Sequence, residues 1–177
     1  TLPDGRIVLT LGDSTGHGIG PALVATACRA YSRASFLSGH EITKVLDRIN
    51  DLLVADLSSE RFVTFVATLL DPIRSQIQLL SAGHGPLLMY TAVDKRIQNI
   101  NPQGIPLGLL AGAPMDLPLE INVAPGDILL LVTDGFFEWA NAQDEQFGVG
   151  RMEEVIRANS HRPAKEIIST LYDAVLK

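Results

Sequence analysis

Two aspartates carry the chemistry for which this sequence can be read. Asp13 is the one charged residue between Ile7 and Leu23. It follows a short apolar, partly β-branched run, residues 7–11, that predicts a buried strand. It opens a stretch, residues 12–20, holding four glycines. Pro21 and the small-residue run 22–30 then predict a helix with proline in its first turn. Asp134 repeats the arrangement: the apolar run 128–133 ends, and Asp134-Gly135 leads into a helix-like segment. Carboxylates at strand ends, each beside a glycine, are the oxygen donors that hard cations such as Mg²⁺ and Mn²⁺ take. The residues alone leave a plainer reading open, in which both are turn aspartates accepting nearby backbone N–H groups. A dinucleotide fingerprint fails: Gly16 and Gly18 fit the first two positions of G-x-G-x-x-G, but the third falls on Pro21.

Composition narrows the partners. The chain has 177 residues, 46% of them apolar and 19% charged, with a formal net charge of −6. Mean hydropathy is +0.21 and the pI is near 5.1. That balance fits one globular domain and argues against nucleic acid or an anionic membrane as the main partner. An anionic substrate needs a metal or a local basic group against such a field. No apolar run approaches the ~20 residues of a membrane span. The single cysteine, Cys28, excludes a disulfide within the chain and fits a reducing, cytoplasmic setting. Six places beyond it stands Ala34, so the Cys-x₅-Arg nucleophile of cysteine phosphatases is absent. Cys28 reads as packing in mid-helix.

The elements that must hold the aspartates follow from periodicity. Residues 22–37 predict a helix. Residues 41–57 predict another, whose Ile42, Val45, Leu46, Ile49, Leu52 and Leu53 share one face; Arg48, Asp51 and Asp56 are then its solvated side. The period changes to two over 61–70, 76–81, 86–91 and 96–100, with turn-like links that predict an antiparallel meander. Residues 102–118 read as an ordered loop. Residues 119–123 and 128–133 predict further strands, the second a near-continuous apolar run and so a central strand. Helices are expected near 151–158 and 163–176. The class is α+β, with helices covering sheet faces. The turn Pro3-Asp4-Gly5 suggests a hairpin with its other arm upstream.

The segment Gly12-Asp13-Ser14-Thr15-Gly16-His17-Gly18 closely resembles the GD-V-[ST]-GHG motif of bacterial PP2C-like, metal-dependent serine/threonine phosphatases of the SpoIIE/RsbU type. In order along the chain, Leu69-Leu70-Asp71-Pro72, Ala82-Gly83-His84-Gly85-Pro86-Leu87-Leu88, Pro106-Leu107-Gly108, Pro125-Gly126-Asp127, Thr133-Asp134-Gly135 through Glu138, and Phe147-Gly148 match that group as well. Ser14 stands where the family usually has valine, a mild change where a backbone carbonyl is the expected ligand.

The resemblance implies an αββα sandwich, two antiparallel sheets flanked by helices, over a single domain spanning residues 1–177. It implies two divalent ions, Mn²⁺ or Mg²⁺. Asp13 would bridge both, the carbonyl of Ser14 would help bind one, and Asp134 would ligate the other side. A metal-held water would attack phosphorus in line. His17 is a candidate general acid for the leaving serine or threonine oxygen, beside a purely structural part in its loop. His84 reads as structural. Arg33, Arg61 and Arg151 are candidate phosphate contacts that nothing in the sequence separates. Two further acidic strands of the family, one expected upstream of Thr1 and one after Lys177, are not in the sequence. The chain is therefore expected to be a fragment lacking the first and last metal-ligand strands. The implied substrate is a phosphorylated anti-sigma-factor antagonist of the STAS class, and the implied neighbours are upstream sensory or receiver domains. A truncated sheet edge is a candidate for homodimerisation. A catalytically inactive regulatory binding module is the rival reading, favoured by the missing outer acids and opposed by the retention of Asp13 and Asp134.

Overall fold

The structure is a computed structural model that describes residues 1–57 and 61–176. It divides into two compact units, Thr1–His84 with Pro102–Val123, and Gly85–Asn101 with Ala124–Lys177.

The first unit contains β1 (Ile7–Ser14), α1 (Ile19–Leu37), α2 (Ile42–Asp56), β2 (Val63–Asp71), β3 (Gln76–Ala82) and β6 (Leu119–Asn122). Its sheet has the order β1-β2-β3-β6, antiparallel throughout. α2 is helical for the predicted reason: Ile42, Val45, Leu46, Ile49 and Leu53 are all buried along one stripe, while Leu52, expected on that face, lies exposed at its margin. They meet Val24, Cys28 and Phe36 of α1 and Val63, Phe65, Ala67 and Leu80 of the sheet in one core. Small buried residues on α1, Cys28, Ser32 and Ser35, let that helix approach closely.

The second unit contains β4 (Leu87–Thr91), β5 (Arg96–Ile100), β7 (Ile128–Leu131), the one-turn helix α3 (Asp134–Phe137), α4 (Gly148–Asn159) and α5 (Ala164–Val175). Its sheet order is β5-β4-β7, also antiparallel. Leu88 and Tyr90 pack with Met152 and Ile156 of α4 and Ile167 and Leu171 of α5. The expected two antiparallel sheets with flanking helices are thus present.

Four expectations are corrected. The strand expected to be buried at 7–11 is an edge strand among the described residues, with no residue fully buried and Leu9 exposed. Residues 12–14 are not loop: Gly12, Asp13 and Ser14 continue β1, paired with Phe65, Thr64 and Val63. Glycine content misled there, because the extended partner strand supplies the constraint that a side chain at position 12 does not. The expected single meander is two hairpins, β2–β3 and β4–β5, in separate sheets. The chain after β3 does not fold back onto it, because the second edge of β3 is taken by β6. Ser81 O accepts the N–H groups of Gln103 (3.2 Å) and Gly104 (2.9 Å), and Gln103 Oε1 accepts the Ser81 N–H at 3.0 Å. Finally, β7 is an edge strand among the described residues, not a central one. An apolar run reports how the faces of a strand are covered and carries no information about which edges are hydrogen-bonded.

The loop at 102–118 is ordered, as expected. Leu107 and Val63 exchange two backbone hydrogen bonds, each 2.8 Å. Asn50 of α2 accepts the Gly108 N–H at 2.9 Å and donates to Leu110 O at 3.1 Å.

Candidate active site

In the first unit the glycine motif is a strand end, a latched loop and a helix start. Asp13 is half-buried on β1, directly opposite Thr64 on β2. The loop beyond it is pinned to the start of β2. Thr15 N–H donates to Phe62 O (3.1 Å), and the Thr15 hydroxyl both donates to Phe62 O and accepts the Phe62 N–H, each at 3.2 Å. Ser14 Oγ donates to Pro21 O at 2.9 Å, tying the strand end to the first turn of α1. Gly16 and Gly18 hold φ of 88° and 91°, the left-handed region that glycine enters without a Cβ penalty. His17 sits between them, exposed.

The second unit holds the other aspartate. Asp134 is the first residue of α3 and is exposed; its Oδ1 accepts the Gly135 N–H at 2.7 Å. The short helix is anchored by Phe136, which meets Phe147 edge-on at 6.3 Å between ring centroids. Phe147 is buried, and Gly148, at φ 75°, starts α4. Upstream, the Asp127 carboxylate accepts the N–H of Ala92 (2.8 Å) and of Ala124 (2.9 Å), closing the turn that delivers β7. The Pro125-Gly126-Asp127 motif is therefore scaffolding within its unit.

Each unit by itself carries oxygen donors of the kind hard divalent cations take: the Asp13 carboxylate and the Ser14 backbone carbonyl in the first, the Asp134 carboxylate in the second. Among the described residues, no group of three or more His, Cys, Asp or Glu side chains is placed to hold a metal ion. Mg²⁺ commonly makes do with one or two carboxylates, keeping waters in its other positions.

The remaining candidates separate. Cys28 is buried, and burial pushes its thiol up to about 12, so it is no nucleophile at neutral pH. His84 is 2% exposed. Its Nδ1 lies 3.0 Å from Thr64 Oγ1, while Ser81 Oγ donates to His84 O (2.6 Å) and accepts the His84 N–H (3.1 Å). Arg151 pairs with Glu145 at 3.7 Å. Arg33 is exposed and lines a pocket of about 310 Å³ with Val8, Arg29 and Phe36. The Arg61 guanidinium lies against Gly20, with Nη1 2.7 Å from where a Cβ would stand. Thr64, which reaches His84, was not singled out from the sequence. Its one signal was its register opposite Asp13, which requires the strand pairing to be known.

The family described as Stage II sporulation protein E (SpoIIE) matches residues 3–177 of this chain. The chain belongs to that family. Among solved structures, the RsbU and RsbW domains of Rv1364c from Mycobacterium tuberculosis are similar at 26% identity and a TM-score of 0.81, covering 97% of this chain and 47% of that one. The PP2C phosphatase domain of SpoIIE from Bacillus subtilis, with a fragment of its regulatory domain, matches at 17% identity and a TM-score of 0.80, covering 97% and 49%. RsbX in complex with magnesium matches at 14% identity and a TM-score of 0.72, covering 98% and 76%. The fold is that of PP2C-like phosphatase domains. The chain spans about half the length of the first two structures, at 47% and 49%.

Proposed function

We propose that this chain is the body of a metal-dependent protein phosphatase that hydrolyses phosphoserine and phosphothreonine. The observation that carries the reading is the family match over residues 3–177 in a chain that keeps both acid–glycine pairs, Asp13 beside Gly12 and Asp134 beside Gly135. RsbX, alike in fold, is a complex with magnesium, in line with Mg²⁺ as one such ion.

Asp13, the Ser14 carbonyl and Asp134 are the groups offered to two such ions. When bound, the ions supply an acidified water and neutralise phosphoryl charge. The chain's own contribution is positional. The Thr15–Phe62 latch and the Ser14–Pro21 bond hold the backbone that follows Asp13 at the end of β1. Exposed on the same loop, His17 is available to protonate the leaving oxygen.

The substrate this reading favours is a phosphorylated STAS-class antagonist of an anti-sigma factor, acted on in the cytoplasm. The likeness to RsbU and RsbW domains joined in one protein supports that setting. Sensory or receiver domains upstream in the full protein, and a homodimer, belong to the same proposal.

The test is Mn²⁺-dependent phosphate release from a small aryl phosphate, with chelator and Asp134→Asn controls. Activity lost in both controls establishes the reading. Activity that survives chelation overturns it. Silence of this chain that persists when the flanking segments are restored overturns it too, and leaves a regulatory binding module.

A further inference from the structure

We propose that Thr64 is a positioning residue for Asp13, with the buried imidazole of His84 as its anchor. This rests on the reading of Asp13 as a metal ligand. Thr64 and Asp13 are register partners on neighbouring antiparallel strands. Directly opposed residues project to the same face, with Cβ atoms about 4.5–5.5 Å apart. Both are half-buried, so the two side chains share a sheltered face.

His84 then fixes the hydroxyl. Its Nδ1 is 3.0 Å from Thr64 Oγ1. The histidine itself has little freedom. Ser81 Oγ bonds to both its carbonyl and its N–H, at 2.6 and 3.1 Å. The preceding Gly83 is bridged to Phe65 of β2. Gly83 also lies at φ +71°, and a Cβ there would stand 2.7 Å from Pro106 Cγ. A threonine hydroxyl offers one donor and two acceptor sites. The imidazole takes up one of these, and the rest is available to the carboxylate of its register partner Asp13. Hydrogen-bonded partners behind a ligating carboxylate set its rotamer and its affinity for the ion. The Ala82-Gly83-His84-Gly85 turn thereby becomes part of the site through Thr64.

The experiment compares wild type, Thr64→Val and Thr64→Ser; valine keeps the β-branched shape without the hydroxyl, and because it also removes a partner of the buried His84, thermal unfolding of each variant is recorded alongside. The first readout needs no metal: three-bond scalar couplings give the χ1 populations of Asp13, and the ¹⁵N resonance of His84 Nδ1 reports its contact. The second is the Mn²⁺ concentration for half-maximal hydrolysis of an aryl phosphate. Thr64→Val is expected to average the Asp13 rotamers and shift the His84 Nδ1 resonance. It should also raise the Mn²⁺ requirement about 10–100-fold, with KM for the aryl phosphate unchanged at saturating Mn²⁺. Thr64→Ser should restore all three. Asp13 couplings identical in Thr64→Val and wild type overturn the proposal. If wild type shows no metal-dependent hydrolysis, the phosphatase reading fails on that result, and the couplings still decide whether Thr64 positions Asp13.

Discussion

Phe65 occupies the space that a side chain at position 12 would need. The two residues pair across β1 and β2, and a Cβ on Gly12 would lie 2.8 Å from Phe65 Cδ2 and 3.4 Å from Val63 Cγ1. Phe65 is 3% exposed, so its ring is hemmed in by the core. Overpacking of this kind costs about 1–3 kcal/mol. Gly12→Ala is expected to lose that much stability. Because residue 13 follows directly, phosphate release should fall further than the folded fraction explains. Thermal unfolding and turnover measured on one preparation check this; an unchanged Tm would mean that Phe65 swings aside freely.

Asn50 ties the 108–110 loop to α2 while itself 2% exposed. Asn50→Leu leaves the Gly108 N–H and the Leu110 carbonyl unpaired, at about 1–3 kcal/mol for each stranded group. Hydrogen exchange at the Gly108 amide should accelerate. In Asn50→Asp the acceptor is kept, so the same amide should stay protected although the Leu110 bond is lost. Equal exchange in both variants would show that the loop is held by something other than Asn50.

Cys28 is held neutral by burial, its thiol moved from 9.0 to about 12. The unfolded thiol ionises first, so the folded state binds the extra proton between those two values. Stability from this source is complete below the unfolded value and drains as pH rises from 9.0 towards about 12. Alkylation at about pH 8 should be slow in the native protein and fast once it is unfolded. In Cys28→Ser the alkaline loss of stability should be smaller. Rapid native alkylation would contradict the burial.

Asp47 carries a carboxyl raised by burial, with the like charge of Asp51 adding to it. Ionisation is therefore disfavoured in the folded state, so this residue costs stability above its folded pKa and recovers it as pH falls through the carboxylate range. Asp47→Asn should raise Tm at about pH 7, and the gain should shrink by about pH 3. A gain that does not change with pH would assign the effect to shape and not to charge.

The helices were legible because their signal is local. Ile42, Val45, Leu46, Ile49 and Leu53 recur at the spacing of one buried face, and all five are buried. Asp13 and Asp134 stood out by their strand–acid–glycine setting; the structure places Asp134 at the start of α3 and Asp13 one residue inside the end of β1. Local pattern was enough to mark most of the helices and strands, the places of the two acids and the family to which the ordered motifs belong. These follow from neighbours within a few residues. Tertiary structure decided which strands share a sheet, that residues 12–14 extend β1, that β7 is an edge among the described residues, and that Thr64 lies opposite Asp13 and in contact with His84. Strand partners and edges are set by hydrogen bonds between residues tens of positions apart, such as Ser81 with Gly104 and Asp13 opposite Thr64. A period of two along one strand reports its faces and leaves its neighbours unstated.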